Sequence, residues 1–400
     1  MRQLRTQVLV VGAGPAGSVA AGALAGEGVD VVLVDRHGFP RDKACGDALI
    51  PDALKVLSNL SLKSKVLEKA VALDEIRIYA PNETFVSLPG EFACLPRYLF
   101  DDLLKDFAVG AGARFLPFQT LSEAVWEGQQ VKGAMFRSSD NEPLRIDADV
   151  TLLATGAASG PLERFGVRLR REPSAFALRV YVEADPGLVD CLCISFNRDI
   201  CPGYGWIFPC PGGTLNMGVG YFLDARRRPP TTNLHELLQR FLRTFPLARD
   251  LARAGIRISE PRGAPLRTCI QGSSLARDGL LVIGEAAGLT YSFSGEGIGK
   301  AMESGLMAAE LVSEALRSTS LDLPSLAQAY STRIRREWGP RFDAYRRAQD
   351  WLSTPLFANI LAWKARRGGF ARRQLEDLLQ ERGQPLSLFS PLGVLRGLLT

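Results

Sequence analysis

Gln7-Val-Leu-Val-Val-Gly-Ala-Gly-Pro-Ala-Gly17 is a run of aliphatic residues that ends in three spaced glycines. Residues 7–11 predict a strand buried on both faces, and Pro15, at a first helical position, opens an Ala-rich stretch to residue 27 that predicts a helix. Residues 30–35 read as a second strand, so the chain begins with a βαβ unit. Each glycine answers a steric need of such a unit. Gly12 permits the tight turn, Gly14 lets the backbone approach a pyrophosphate, and Gly17, after Ala16, lets the helix lie close to the strand. The helix start directs unpaired N–H groups at an anion. Asp35 and its neighbour Arg36 close the second strand, where a ribose carboxylate partner belongs.

This much predicts a dinucleotide. The choice of dinucleotide rests on a distant segment, Asp278-Gly-Leu-Leu-Val-Ile-Gly-Glu-Ala-Ala-Gly288, continued by Ser294-Gly-Glu-Gly-Ile-Gly299. A second glycine-rich strand-to-helix turn returning this late suits a long cofactor with a ribityl chain and a ring to hold. FAD is therefore expected, with Gly284, Glu285, Gly295, Gly297 and Ile298 among its contacts.

Three further stretches make a resemblance specific: Pro40-Arg-Asp-Lys-Ala-Cys-Gly-Asp47, Leu95-Pro-Arg-Tyr-Leu-Phe-Asp-Asp102 and Tyr204-Gly-Trp-Ile-Phe-Pro209. With them the chain resembles the flavoprotein superfamily that includes p-hydroxybenzoate hydroxylase, and within it the geranylgeranyl reductase family. The resemblance implies that Arg97 helps hold the cofactor through its phosphate, and that Lys43, Cys45 and Gly46 lie beside it. It implies stepwise saturation of isoprenoid double bonds, with a hydrophobic prenyl substrate and electrons from NADPH or a small redox protein. Two departures stand out. Glu285 occupies the place of the usual Asp, and Ala154-Thr-Gly156 lacks the acid of the usual Gly-Ala-Asp-Gly turn.

The fold expected is α/β: a Rossmann-type FAD-binding domain interleaved with a mixed or antiparallel-sheet substrate domain, plus a helical C-terminal region. The ranges are 1–75, 96–165 and 268–320 for the first, 76–95 and 166–267 for the second, and 321–400 for the third. Pro340, Pro355 and Gly368-Gly369 are expected helix breaks, and residues 391–400 end the chain on an apolar run.

Alternation along Tyr204, Trp206 and Phe208 puts three aromatic rings on one face of a strand, a wall suited to a lipidic alkene or to ordinary core packing. Hydride delivery to one alkene carbon needs an acid for the other, and the candidates are Cys45, Tyr204 or a water between them. A free thiol is mostly protonated at neutral pH and can donate. The rival readings are an oxygen-using monooxygenase or halogenase and a non-catalytic flavin or lipid carrier. The halogenase pattern Trp-x-Trp-x-Ile-Pro is absent.

Composition narrows the field. Two histidines, His37 and His235, and the absence of any Cys-x-x-Cys pair set zinc and nucleophile–histidine chemistry aside. Seven cysteines without framework spacing, Cys269 among them, point to a reducing cytoplasm. The net charge of +5 is uneven: residues 333–373 carry eleven Arg or Lys against three acids. That basic run fits a solvated face or peripheral contact with an anionic membrane, and no nucleic-acid recognition module accompanies it.

Overall fold

The computed structural model describes residues 2–167, 174–223, 233–268, 270–292, 294–352 and 354–383. Cys269 and the apolar run 391–400 lie outside the described residues. The architecture is mixed α/β with two sheets and a helical C-terminal region.

The aliphatic run lies in the strand Arg2–Val11, at the centre of the first sheet. It pairs in parallel with Val31–Val34 on one side and Pro143–Leu153 on the other. Arg114–Leu116 and Leu280–Val282 extend the parallel set outward. Val8, Leu9, Val10 and Val32 are fully buried, as strands covered on both faces require. Pro143–Leu153 also runs antiparallel to Gln130–Arg137, which pairs with Thr120–Glu127, so one long strand carries a hairpin on the same sheet.

Two helices with small residues pack against each other over this sheet. A Cβ on Gly305, in the helix Ile298–Arg317, would come within 2.4 Å of the Ala16 carbonyl oxygen in Pro15–Gly26. Small side chains are what permit that separation.

The second sheet runs in the order Ile256–Arg257, Ala175–Glu183, Thr214–Phe222, Tyr204–Cys210, Leu192–Ser195, Val71–Tyr79, Phe85–Cys94, Ala48–Leu49. Its pairs are antiparallel except for Leu192–Ser195 on Val71–Tyr79, which makes it mixed. Ala48–Leu49 and the first part of Val71–Tyr79 fall in the range expected for the first domain, yet both hydrogen-bond into this sheet. Behind it packs the helix Leu234–Thr244, whose Phe241 lies against Gly205 and stacks on Phe245 with centroids 5.5 Å apart.

Pro340 does not break its helix: Leu323–Leu352 is continuous. The proline is exposed, so the carbonyl it leaves without an N–H partner faces solvent, while Ile334, Trp338, Phe342 and Tyr345 hold the other side in the core. Pro355 starts the next helix, Pro355–Arg366, and Gly368 separates that helix from Gly369–Leu379.

Phe241 is fully buried and supports the aromatic strand from behind. Phe241→Ala should cost about 3–5 kcal/mol in urea unfolding; a loss below about 1 kcal/mol would mean that the cavity collapses and the strand does not depend on this ring.

Candidate active site

Four turns converge at the C-terminal ends of the parallel strands, where open α/β sheets hold their ligands. At the first, Gly12 has φ +107°, and a Cβ there would lie 2.4 Å from the Ala154 carbonyl oxygen. A Cβ on Gly17 would lie 1.9 Å from the Gly12 oxygen. Gly14 differs: its Cβ would meet only the Arg41 guanidinium, at 3.6 Å, so its outer side is open and faces a cation. The first helical turn carries no acidic residue, which leaves its N–H groups available to an anion.

Asp35 accepts hydrogen bonds from the Ala13 and His37 N–H groups, both at 2.9 Å, one on each oxygen. A second lone pair remains on each oxygen for a ribose hydroxyl. Arg36 is exposed beside it and donates to His37.

At the second turn, Lys43 Nζ lies 3.1 Å from Glu285 Oε2, next to Gly156. The other oxygen, Glu285 Oε1, is buried without a hydrogen-bond partner among the described residues, as is Thr155 Oγ1. These orphaned polar atoms lie at the turns beside the glycine loop, where Gly284 packs against Ala16. With the open face at Gly14 they fit an elongated dinucleotide carrying phosphates and hydroxyls.

Arg97 is buried and forms a bidentate pair with Asp101, at 2.6 and 2.7 Å, and Arg41 adds a contact to the same carboxylate at 2.9 Å. Burial alone would lower the Arg97 guanidinium; Asp101 and the Cys45 sulfur outweigh it and hold it up. Arg97 therefore reaches the Pro40–Asp47 loop at Cys45, and the arginine open to the glycine loop is Arg41.

The aromatic strand Tyr204–Cys210 joins the other two turns. The Tyr204 hydroxyl donates to the Ser294 carbonyl at 2.5 Å beside Gly295, and Phe208 lies against Gly46. Burial, reinforced by Cys45, raises the Tyr204 phenol, so its proton is held in that bond. Gly297 precedes Ile298, the first residue of the long helix.

A buried polar network beside the aromatic rings escaped the sequence reading. Trp206 Nε1 donates to Asn216 Oδ1 at 2.9 Å, and Asn216 Nδ2 donates to the Cys45 carbonyl at 2.8 Å and to Asp47 Oδ2 at 2.7 Å. Tyr181 donates to the same Asp47 oxygen at 2.5 Å, and the Arg97 N–H to the other oxygen at 3.3 Å. Arg179 stacks on the Tyr181 ring and pairs with Asp42 at 2.6 Å. Asp47 has φ +67°, strained for a residue with a side chain. Its place directly after Cys45-Gly46 was the available signal, but Tyr181 and Asn216 stand more than a hundred residues away.

A second buried cluster ties the Ser294–Gly299 turn to the C-terminal helices. Lys300 Nζ contacts Glu303 at 2.7 Å, Glu381 at 3.0 Å and Asp52 at 3.6 Å, while Arg341 and Tyr291 also hold Glu381. Burial raises Asp52, and burial together with Asp52 raises Glu296. Asp52 Oδ2 and Glu296 Oε1 have no hydrogen-bond partner among the described residues, and Lys300 Nζ lies 3.6 Å from the first of them.

A flavin-type dinucleotide fold with this cleft defines an FAD-dependent oxidoreductase. Residues 5–336 match the family described as FAD binding domain. The chain belongs to that family. It is 32% identical to menaquinone reductase of Mycobacterium tuberculosis, over 88% of this chain and 85% of that one. It is 29% identical to digeranylgeranylglycerophospholipid reductase of Methanosarcina acetivorans, over 84% and 82%. A geranylgeranyl bacteriochlorophyll reductase-like protein of Thermoplasma acidophilum superposes with TM-score 0.84 at 24% identity, over 98% of both chains. The flavin-dependent brominase Bmp2 shares the fold too, at TM-score 0.76 and 17% identity, so the fold alone does not separate reduction from halogenation.

Burial pushes the Asp47 carboxyl up to about 6, against the hydrogen bonds from Tyr181 and Asn216. Between the ordinary 3.8 and about 6 the folded chain keeps a proton that the unfolded chain has lost, so the stability tied to Asp47 is full below that window and falls as pH rises through it. Asp47→Asn should therefore show a smaller drop in melting temperature from about pH 4 to about pH 7 than the unaltered chain. Equal drops would mean that Asp47 does not titrate in this range.

Proposed function

We propose that this enzyme saturates carbon–carbon double bonds of a prenyl chain carried by a lipid or a quinone. The observation that carries the reading is the aromatic strand, with Tyr204 against the Ser294–Gly295 turn and Phe208 against Gly46. Those two turns flank the cleft that fits the flavin, so an apolar aromatic wall borders the reacting centre. Menaquinone and digeranylgeranylglycerophospholipid, which the names of the relatives specify, share a polyprenyl chain, and this common feature supports it as the reduced group.

In this reading Gly12, Gly14, Ala16 and Gly17 cradle the pyrophosphate with Arg41 opposite, and Asp35 and Arg36 hold the adenosine ribose. Lys43, Gly284 and Glu285 line the ribityl stretch, and Gly46, Gly295, Gly297 and Ile298 border the ring. FAD bound there and reduced by NADPH or a small redox protein would supply the hydride for one alkene carbon. Cys45 gives its Sγ proton to the other carbon. The Arg97 guanidinium, in contact with that sulfur, offers a counter-charge to the thiolate that donation leaves. Tyr204 acts mainly in positioning, since its proton is engaged by Ser294. Trp206 and Phe208 line the path of the chain, with Trp206 oriented by Asn216.

Cys45→Ala should keep FAD bound and lose most alkene reduction, about 100-fold or more for a general acid; unchanged turnover would remove Cys45 from the chemistry. Trp206→Ala should shorten the preferred prenyl chain or raise KM for long ones, whereas an unmoved chain-length preference would make the aromatic face structural. The reading as a whole is tested by mixing reduced enzyme with prenyl substrates without oxygen and analysing the product by mass spectrometry. A gain of two hydrogens per bond that survives exposure to air supports it. A gain that air reverses indicates reduction of a quinone ring, and a product formed only with oxygen indicates a monooxygenase or, with halide, a halogenase.

A further inference from the structure

The helix Pro355–Arg366 has two apolar faces. Its inner face is built of small residues, Ala358, Ala362 and Ala365, all buried, and it packs on the strand Phe85–Cys94. The same apolar cluster contains Tyr204, Trp206 and Phe208. The opposite face carries Leu356, Ile360, Trp363 and Arg367 at helical spacing. Leu356 is 69% exposed and Trp363 45%, and Phe85, at the end of the adjoining strand, is 38% exposed. Among the described residues no helix is long and apolar enough to cross a membrane.

The rim of this stripe is cationic. Arg367 stacks on the Trp363 indole at 3.8 Å, Lys364 lies 5.7 Å from the same ring, and Arg366 lies 5.9 Å from the Phe85 ring. Residues 354–373 contain five Arg or Lys and no acid, so nothing on this segment would repel an anionic surface. A large apolar stripe facing water is costly in a helix that already has a core-facing side. Indole and guanidinium groups together suit the boundary between water and lipid headgroups, where the ring is half dry and the cations meet phosphates.

We infer that this stripe docks the enzyme on an anionic phospholipid bilayer, with Leu356, Trp363 and Phe85 entering the headgroup region. The inference deepens the prenyl-substrate reading, on which it rests for its purpose. Docking through this helix sets the bilayer against the apolar cluster that leads to the aromatic strand, so a lipid chain can pass inward without crossing water.

The test is flotation of the FAD-loaded enzyme with vesicles of phosphatidylcholine alone and of phosphatidylcholine mixed with phosphatidylglycerol. The unaltered enzyme should float with the mixed vesicles and bind them at least about tenfold more tightly than the neutral ones. Trp363→Glu, and separately Arg366→Glu with Arg367→Glu, should lose at least about tenfold in vesicle affinity with FAD content and far-UV circular dichroism unchanged. Arg336→Glu, in the same basic run but on the preceding helix, should bind vesicles as the unaltered enzyme does. Equal binding by the unaltered chain and Trp363→Glu would overturn the inference. So would a dimer in sedimentation velocity that Trp363→Glu dissociates without any vesicle binding, since the stripe would then be covered by a second copy of this chain. Reduction of a detergent-dispersed prenyl substrate separates the two claims. If Trp363→Glu keeps that activity but not vesicle binding, both stand; if the unaltered enzyme binds vesicles but reduces no alkene, the docking surface stands and the substrate reading fails.

Discussion

Everything at the cofactor cleft depends on how closely three backbone segments meet at one end of the parallel sheet. Val11 accepts from Ala154 N–H, Val34 from Gly12 N–H and Leu153 from Ile283 N–H, so the strands end in register and their turns start side by side. There is then no room for a Cβ between Gly12 and Ala154 or between Gly17 and Gly12. Glycine at those positions is a packing requirement before it is a binding one. The same crowding leaves the open side of Gly14 and the start of the first helix facing the cleft.

The second sheet meets that cleft through a polar hinge. The Pro40–Asp47 loop is held by Arg179 at Asp42, by Asn216 at the Cys45 carbonyl, and by Tyr181 and Asn216 at Asp47. A buried carboxyl is tolerable here because donors surround it, although burial still outweighs them and raises its protonation point. The network holds the Cys45 backbone, and the Arg97 guanidinium, fixed by Asp101, interacts with the thiol. On the other side, Lys300 with Asp52, Glu303 and Glu381 joins the helix that follows the Ser294–Gly299 turn to a residue near the end of the described chain. The C-terminal helices thereby brace the Ser294–Gly299 turn.

Much of the fold was legible because its signals are local. The glycine turns and the β-branched strands follow from period and from steric exceptions within a dozen residues. Pro340 was misread for the converse reason: a proline in sequence is a helix breaker, but one whose lost bond faces water on a helix pinned by Trp338 and Phe342 is not.

By itself the sequence determined the FAD-binding architecture, since glycine spacing and strand pattern are short-range consequences of backbone sterics. Only the tertiary structure decided what each side chain is engaged in. It set Arg97 on Asp101 and Cys45 rather than open to the glycine loop, occupied the Tyr204 proton with Ser294, and brought Tyr181 and Asn216 to Asp47. It also left Leu356 and Trp363 in water on a helix whose other face is core. Partners and exposure depend on which distant strands lie side by side, and no local period encodes that.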